Sequence, residues 1–151
     1  CEGCKVESSK QESIRCLTLD IFDNVEQLIE HLLSNQRGPS GAALDNEEEL
    51  RHEIIRTYQF PLNIGNLMRI YFSDEIIERR CEKCNHNVTR LLRRFVQLPR
   101  VLVVHLKRFS YDAETVSFQK LAWKVAASPQ LSVADWCARG VQTAGPIAFL
   151  S

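Results

Sequence analysis

Two Cys-x-x-Cys pairs, Cys1 with Cys4 and Cys81 with Cys84, are the residues of this chain whose types and spacing point most directly to chemistry. A tight turn of this kind presents two sulfurs together, and two such turns supply the four tetrahedral ligands of a closed structural zinc site. The spacing also permits a redox or disulfide role, or cysteines that bind nothing. The segment between Cys4 and Cys81 is much longer than the roughly 15–20 residues of a common zinc ribbon. A shared site therefore requires the intervening chain to leave and return. Zn2+ held by Cys1, Cys4, Cys81 and Cys84 is the expectation, with an apparent binding energy on the order of 10–16 kcal/mol in small sites of this type. His86 is near enough to Cys84 to substitute as a ligand, but a surface position is expected for it.

Cys16 and Cys137 remain. Cys16 falls in a strand-like pattern and is expected to be a small buried apolar residue. A catalytic thiol needs an activating base and an open electropositive setting, and no such setting is recognisable, so no catalytic residue is assigned. His105, inside an apolar strand, is expected to be a hydrogen-bonded core residue.

The elements that must position these groups follow from patterning. Apolar residues two apart over Ile14 to Ile21 predict a strand. Asp23-Asn24 can cap a helix over about 25 to 34, where Val25, Leu28, Ile29, Leu32 and Leu33 repeat at helical spacing. Gln36 to Gly41 carries turn residues. Glu47-Glu48-Glu49 then opens a second helix with Leu50, Ile54, Ile55 and Tyr58 on one side, its acidic first turn suiting the positive helix end. Asn66 to Phe72 is a third short helix or a helix end. Two strands are predicted at Val88 to Val96 and Arg100 to Phe109, with Pro99 between them. The second is apolar on both faces, which predicts cover on both sides. Ser117 to Leu121 can extend a strand, whereas the last thirty residues have no period, and Trp123 and Trp136 have no assigned core face.

The 151 residues carry 19 Lys+Arg, 19 Asp+Glu and a formal net charge of +0, with 44% hydrophobic residues. That is a globular composition, neither disordered nor polyelectrolytic. No apolar run approaches the ~20 residues of a membrane span, and the start lacks signal-peptide order. An intracellular protein, in nucleus or cytoplasm, is expected, and in a reducing compartment paired cysteines favour metal. Because the chain opens on a Cys of the motif, it is expected to be part of a longer protein. Basic residues gather between Arg79 and Arg108, but zero net charge and the lack of an aromatic platform argue against nucleic acid as the partner.

Cys81-Glu82-Lys83-Cys84, a basic stretch, and then Leu98-Pro99-Arg100-Val101-Leu102-Val103-Val104-His105-Leu106-Lys107-Arg108-Phe109 resemble the middle of the catalytic domain of ubiquitin-specific proteases. The resemblance covers Cys1 to about Asp112. It implies an α+β fold: zinc-ribbon-like β fingers, part of an antiparallel palm sheet and two or three short helices, within an incomplete papain-like cysteine protease. Cys1, Cys4, Cys81 and Cys84 match the family's zinc ligands. The implied partner is ubiquitin, gripped by fingers and palm, although no contact residue is assigned. The implied organisation is a partial protease domain over 1–112, with an insertion at about 36–64, and an atypical, poorly ordered tail over 113–151 arising from splicing or a faulty gene prediction. The family's nucleophile and histidine boxes do not occur in these residues, so the chain alone is expected to be inactive. The alternative reading is a non-enzymatic zinc-ribbon adaptor or nucleic-acid-binding module.

Overall fold

The computed structural model describes residues 1–39, 41, 43–112, 116–121, 124–142 and 147–148. In chain order its elements are β1 (Leu17–Asp20), α1 (Val25–Arg37), α2 (Glu47–Thr57), α3 (Ile64–Tyr71), β2 (Glu75–Glu78), β3 (Val88–Leu91), β4 (Val104–Lys107), β5 (Phe109–Asp112), β6 (Ser117–Lys120), β7 (Gln130–Leu131), a 3-10 turn at Ala134–Trp136 and β8 (Ile147–Ala148). The architecture is mixed α/β: three helices with two-stranded sheets pairing β1 with β4, β2 with β3, β5 with β6 and β7 with β8.

The helices form where capping and apolar spacing coincide. Asn24 accepts a hydrogen bond from the Gln27 N–H and starts α1. Leu28, Ile29, Leu32 and Leu33 are its buried stripe. It runs three residues beyond the predicted end and stops at Gly38, whose φ of +65° suits glycine. A Cβ at Gly38 would lie 2.5 Å from Ile76 Cγ2, so α1 and β2 approach closely there. In α3, Asn63 and Asn66 exchange side-chain-to-backbone hydrogen bonds in a reciprocal cap. The acidic helix α2 buries no residue of its own; its predicted apolar side delivers Tyr58, just past its end, to the core.

The core gathers Leu17 and Leu19 from β1, Leu28 and Leu32 from α1, and Leu67, Met68 and Ile70 from α3, with Phe22, Phe72 and Phe95. Each such side chain contributes roughly 1.5–3 kcal/mol on burial. The pairing of β1 with β4 is parallel, Leu17 opposite Val104 and Leu19 opposite Leu106, whereas β2–β3, β5–β6 and β7–β8 are antiparallel. The reason is connectivity: the helices and the β2–β3 hairpin return the chain to run in the same direction.

Strand β4 is also shorter than predicted and covered on one side. Leu102, Val104 and Leu106 pack on the core, while Val101, Val103 and Phe109 are more than half exposed. His105 therefore faces outward, contrary to a core role. The third helix and the strand at 117–120 follow the sequence pattern. The segment after Asp112, for which the pattern predicts no order, supplies half-buried Trp136 stacked on Phe72, their ring centroids 5.7 Å apart and 12° from parallel. Phe95 donates its N–H to the Trp136 carbonyl and accepts from Ala138 N–H, both at 2.8 Å. Val133 is buried as well. Trp123 lies outside the described residues.

Leu28→Ala should cost about 2–5 kcal/mol in urea unfolding because it empties a fully buried position, whereas exposed Ile55→Ala should stay within about 0.5 kcal/mol. Equal losses at the two positions would contradict this core.

Candidate metal centre

The second cysteine pair forms the end of the β2–β3 hairpin. Past the paired strands, Arg79 donates to the Asn87 carbonyl at 2.9 Å and Cys81 to the His86 carbonyl at 2.8 Å. The turn closes when the Asn85 N–H reaches the Cys81 carbonyl at 2.9 Å. The first pair repeats that closure, Lys5 N–H to Cys1 carbonyl at 3.0 Å. Both residues that follow the second cysteine of a pair, Lys5 and Asn85, have left-handed backbone, with φ of 56° and 59°. Asn tolerates that conformation; Lys pays a modest steric cost.

Three contacts seat the first knuckle against the second. Glu2 N–H donates to the Val88 carbonyl at 3.1 Å. The Glu2 carboxylate accepts from Arg90 Nε at 3.0 Å and from Lys5 Nζ at 2.7 Å, and these hydrogen bonds hold its pKa below the usual carboxylate value. Gly3 lies so close that a Cβ there would sit 2.9 Å from His86 Cβ and 3.4 Å from Cys84 Sγ. Glycine at this position is a requirement of close approach.

The result is a cluster in which one sulfur from each of Cys1, Cys4, Cys81 and Cys84 lies within 4.8 Å of all the others. Cys1 Sγ is 3.5 Å from Cys84 Sγ, and Cys4 Sγ is 3.7 Å from Cys81 Sγ. These are free thiols, not disulfides. Four sulfurs at ~2.3 Å from one tetrahedral zinc would stand about 3.8 Å apart, so the donor set and its spacing fit a single metal ion. Charge points the same way. Backbone N–H groups of Cys84 and Lys83 aimed at the sulfur bring the Cys81 thiol down to about 7. At Cys84 the His86 N–H pulls in that direction too, but the sulfurs of Cys4 and Cys81 and desolvation win, and its thiol is pushed up. The Cys81 thiolate is favoured and the Cys84 thiolate opposed, a conflict that a bound cation removes. His86 is exposed and outside the ligand cluster.

Cys16 and Cys137 lie outside the four-sulfur cluster. Cys16 is exposed just before β1, not buried within it, because the strand begins one residue later. It lines an open groove with Ile14, Leu98 and Val103, and no histidine lines that groove. The half-buried Cys137 donates to the Val133 carbonyl, and desolvation raises its pKa. Among the described residues no cysteine sulfur hydrogen-bonds a histidine ring. Of the basic cluster, Arg90 pairs with Glu2 and Asp74, Arg93 with Glu75, and Lys107 with Asp20.

Sequence patterning missed β2 and the docking of Glu2 on Arg90. The signal for β2 was the β-branched pair Ile76-Ile77 immediately before the second knuckle. Nothing local marks the Glu2–Arg90 contact, which joins residues 88 positions apart.

Comparison with known proteins identifies the family of the chain. The family model for ubiquitin carboxyl-terminal hydrolase matches residues 6–146, and the chain belongs to that family as part of a ubiquitin-specific protease. The match continues beyond the boundary at 112 expected from the sequence. Human ubiquitin carboxyl-terminal hydrolase 26 is 33% identical over 87 residues, covering 58% of this chain and 9% of that protein. Chicken ubiquitin carboxyl-terminal hydrolase 37 is 26% identical over 133 residues, covering 86% of this chain and 14% of its own length. Mouse ubiquitin carboxyl-terminal hydrolase 29 is 33% identical over 95 residues, 63% of this chain and 11% of that protein. The chain thus spans about a tenth of the length of the curated relatives it matches. No solved structure matches it.

In metal-free reduced protein, Cys81 should be alkylated by iodoacetamide ahead of Cys137, with a rate midpoint near pH 7. Peptide mapping across pH checks this, and a midpoint at or above the ordinary thiol value would contradict the arrangement of N–H groups around Cys81.

Proposed function

We propose that these residues form zinc-stapled fingers and part of the palm of a deubiquitinase, and that their own task is to hold ubiquitin. On this reading β2, β3 and the two knuckles are the fingers, and the β1–β4 pair with α1 and α3 belongs to the palm. The observation that carries the proposal is the convergence of Cys1, Cys4, Cys81 and Cys84 at the hairpin end of a chain that belongs to this family. Four thiolates complete the zinc shell and leave no position for an activated water. The metal's contribution is structural: it would tie residues 1–4 to the hairpin end at 81–84.

The hydrolytic step of a thiol isopeptidase needs a thiolate, a base to generate it and a group that orients the base. Among the described residues neither Cys16 nor Cys137 hydrogen-bonds a histidine ring, and on this reading the nucleophile is not one of them. The apolar side chains left outward just before β4 and on β5, Val101, Val103, Phe109 and Tyr111, are suited to cover by other parts of the enzyme or by its protein substrate. An adaptor that binds nucleic acid is less well supported. Its basic cluster would have to be open, yet Arg90, Arg93 and Lys107 are paired with carboxylates.

The test joins metal to binding. Reduced chain should carry about one zinc by elemental analysis, lose it in Cys81→Ser, and shift resonances of isotopically labelled ubiquitin only in the zinc-loaded form. It should leave a ubiquitin C-terminal amide reporter uncleaved. Ubiquitin resonances that stay put while RNA binds in a salt-sensitive manner would overturn the proposal in favour of the adaptor.

A further inference from the structure

The same cluster has a second chemical capacity, which rests on the metal reading above. We propose that the centre is a peroxide-sensitive switch in which oxidation replaces the metal by two disulfides running between the knuckles, Cys1 to Cys84 and Cys4 to Cys81. Among four sulfurs that all lie within 4.8 Å of one another, these pairs stand at 3.5 Å and 3.7 Å. Both join one knuckle to the other. Each pair has to close by roughly 1.5 Å to reach the ~2.05 Å of a disulfide. Access is open, since Cys4 and Cys84 are exposed and Cys1 and Cys81 half-buried. Gly3 against His86 keeps the two turns face to face, so each sulfur of the first knuckle already meets a sulfur of the second.

The chemistry balances with hydrogen peroxide as the oxidant. A thiolate sulfur of one pair attacks peroxide, the O–O bond breaks, and a sulfenic acid forms with release of hydroxide. The partner thiolate attacks that sulfur, the S–S bond forms and a second hydroxide leaves. Two protons from solvent convert the hydroxides to water. Each pair is oxidised by two electrons and one peroxide is reduced. Zinc has no redox chemistry and departs as Zn2+ once its thiolates are consumed. The cross-links then join the segments that the metal joined, so the first knuckle stays docked on β3 beside Arg90 after the metal has gone. A dithiol reductant returns the four thiolates.

The experiment uses the full chain, zinc-loaded and with metal content measured beforehand, titrated with hydrogen peroxide in the presence of a chromogenic zinc chelator. Zinc release at about two peroxides per metal is expected, reversed by dithiothreitol and zinc. Non-reducing tryptic mapping reads the pairing, because cleavage after Lys5, Arg80, Lys83 and Arg90 separates peptides 1–5, 81–83 and 84–90. The proposal expects 1–5 linked to both of the others, with fragmentation placing Cys1 on 84–90 and Cys4 on 81–83. A zinc-loaded chain that yields 1–5 with an internal disulfide, or sulfinic and sulfonic acids without cross-links, overturns the switch alone. A chain that holds no zinc before oxidation overturns the metal reading and the switch with it. Cys16→Ser with Cys137→Ser should leave the map unchanged; loss of the cross-links in that variant would also overturn it.

Discussion

Two stretches of chain separated by three helices meet at the end of the β2–β3 hairpin through contacts that leave little room. Gly3 has no space for a Cβ beside His86, and the Glu2 carboxylate is shared between Arg90 and Lys5. Backbone closure of both knuckles then aims four sulfurs at one point. The salt bridges are partly exposed and contribute at most about 1 kcal/mol each. Four neighbouring thiols, one of them with its pKa brought down to about 7, gain nothing from proximity by themselves. The proposed metal supplies the energy that makes this junction worth its constraints.

Behind the junction, the hairpin is anchored to the apolar core at its opposite end. Gln36 Nε2 donates to the Asp74 carbonyl at 3.2 Å, Gly38 accommodates Ile76, and Arg93 bonds Glu75 at 2.6 Å while its guanidinium lies over the Tyr71 ring. The helices α1 and α3 thereby set the base from which the β2–β3 hairpin projects. Phe72 links that base to Phe95 and Trp136 through ring contacts, so the later part of the chain also supports the hairpin. Within the basic stretch between residues 79 and 108, Arg90, Arg93 and Lys107 are engaged with carboxylates.

What the sequence disclosed depended on how local each signal was. The capped, periodic stretch at 25–37 and the acidic start at Glu47 were legible because a helix is specified by neighbours three and four apart. The cysteine cluster was legible because Cys-x-x-Cys is a local turn whose chemistry is carried by residue type. The parallel pairing of β1 with β4 was not, because register across a crossover is decided by packing between remote segments. His105 and Cys16 show the same limit. Each sits in an apolar-looking run, yet one points away from the core and the other precedes its strand. Trp136 became a core partner only through Phe72 and Phe95, which no period in its own segment could indicate.

The central claim is that the four cysteines form one closed, all-sulfur zinc site joining the knuckles. X-ray absorption at the zinc edge of the metal-loaded chain tests it most directly. The account predicts a single shell of four sulfurs at about 2.3 Å, unchanged when His86 is replaced by Ala. A shell containing nitrogen or oxygen near 2.0–2.1 Å, or a sulfur count that survives Cys1→Ser and Cys4→Ser together, would contradict it.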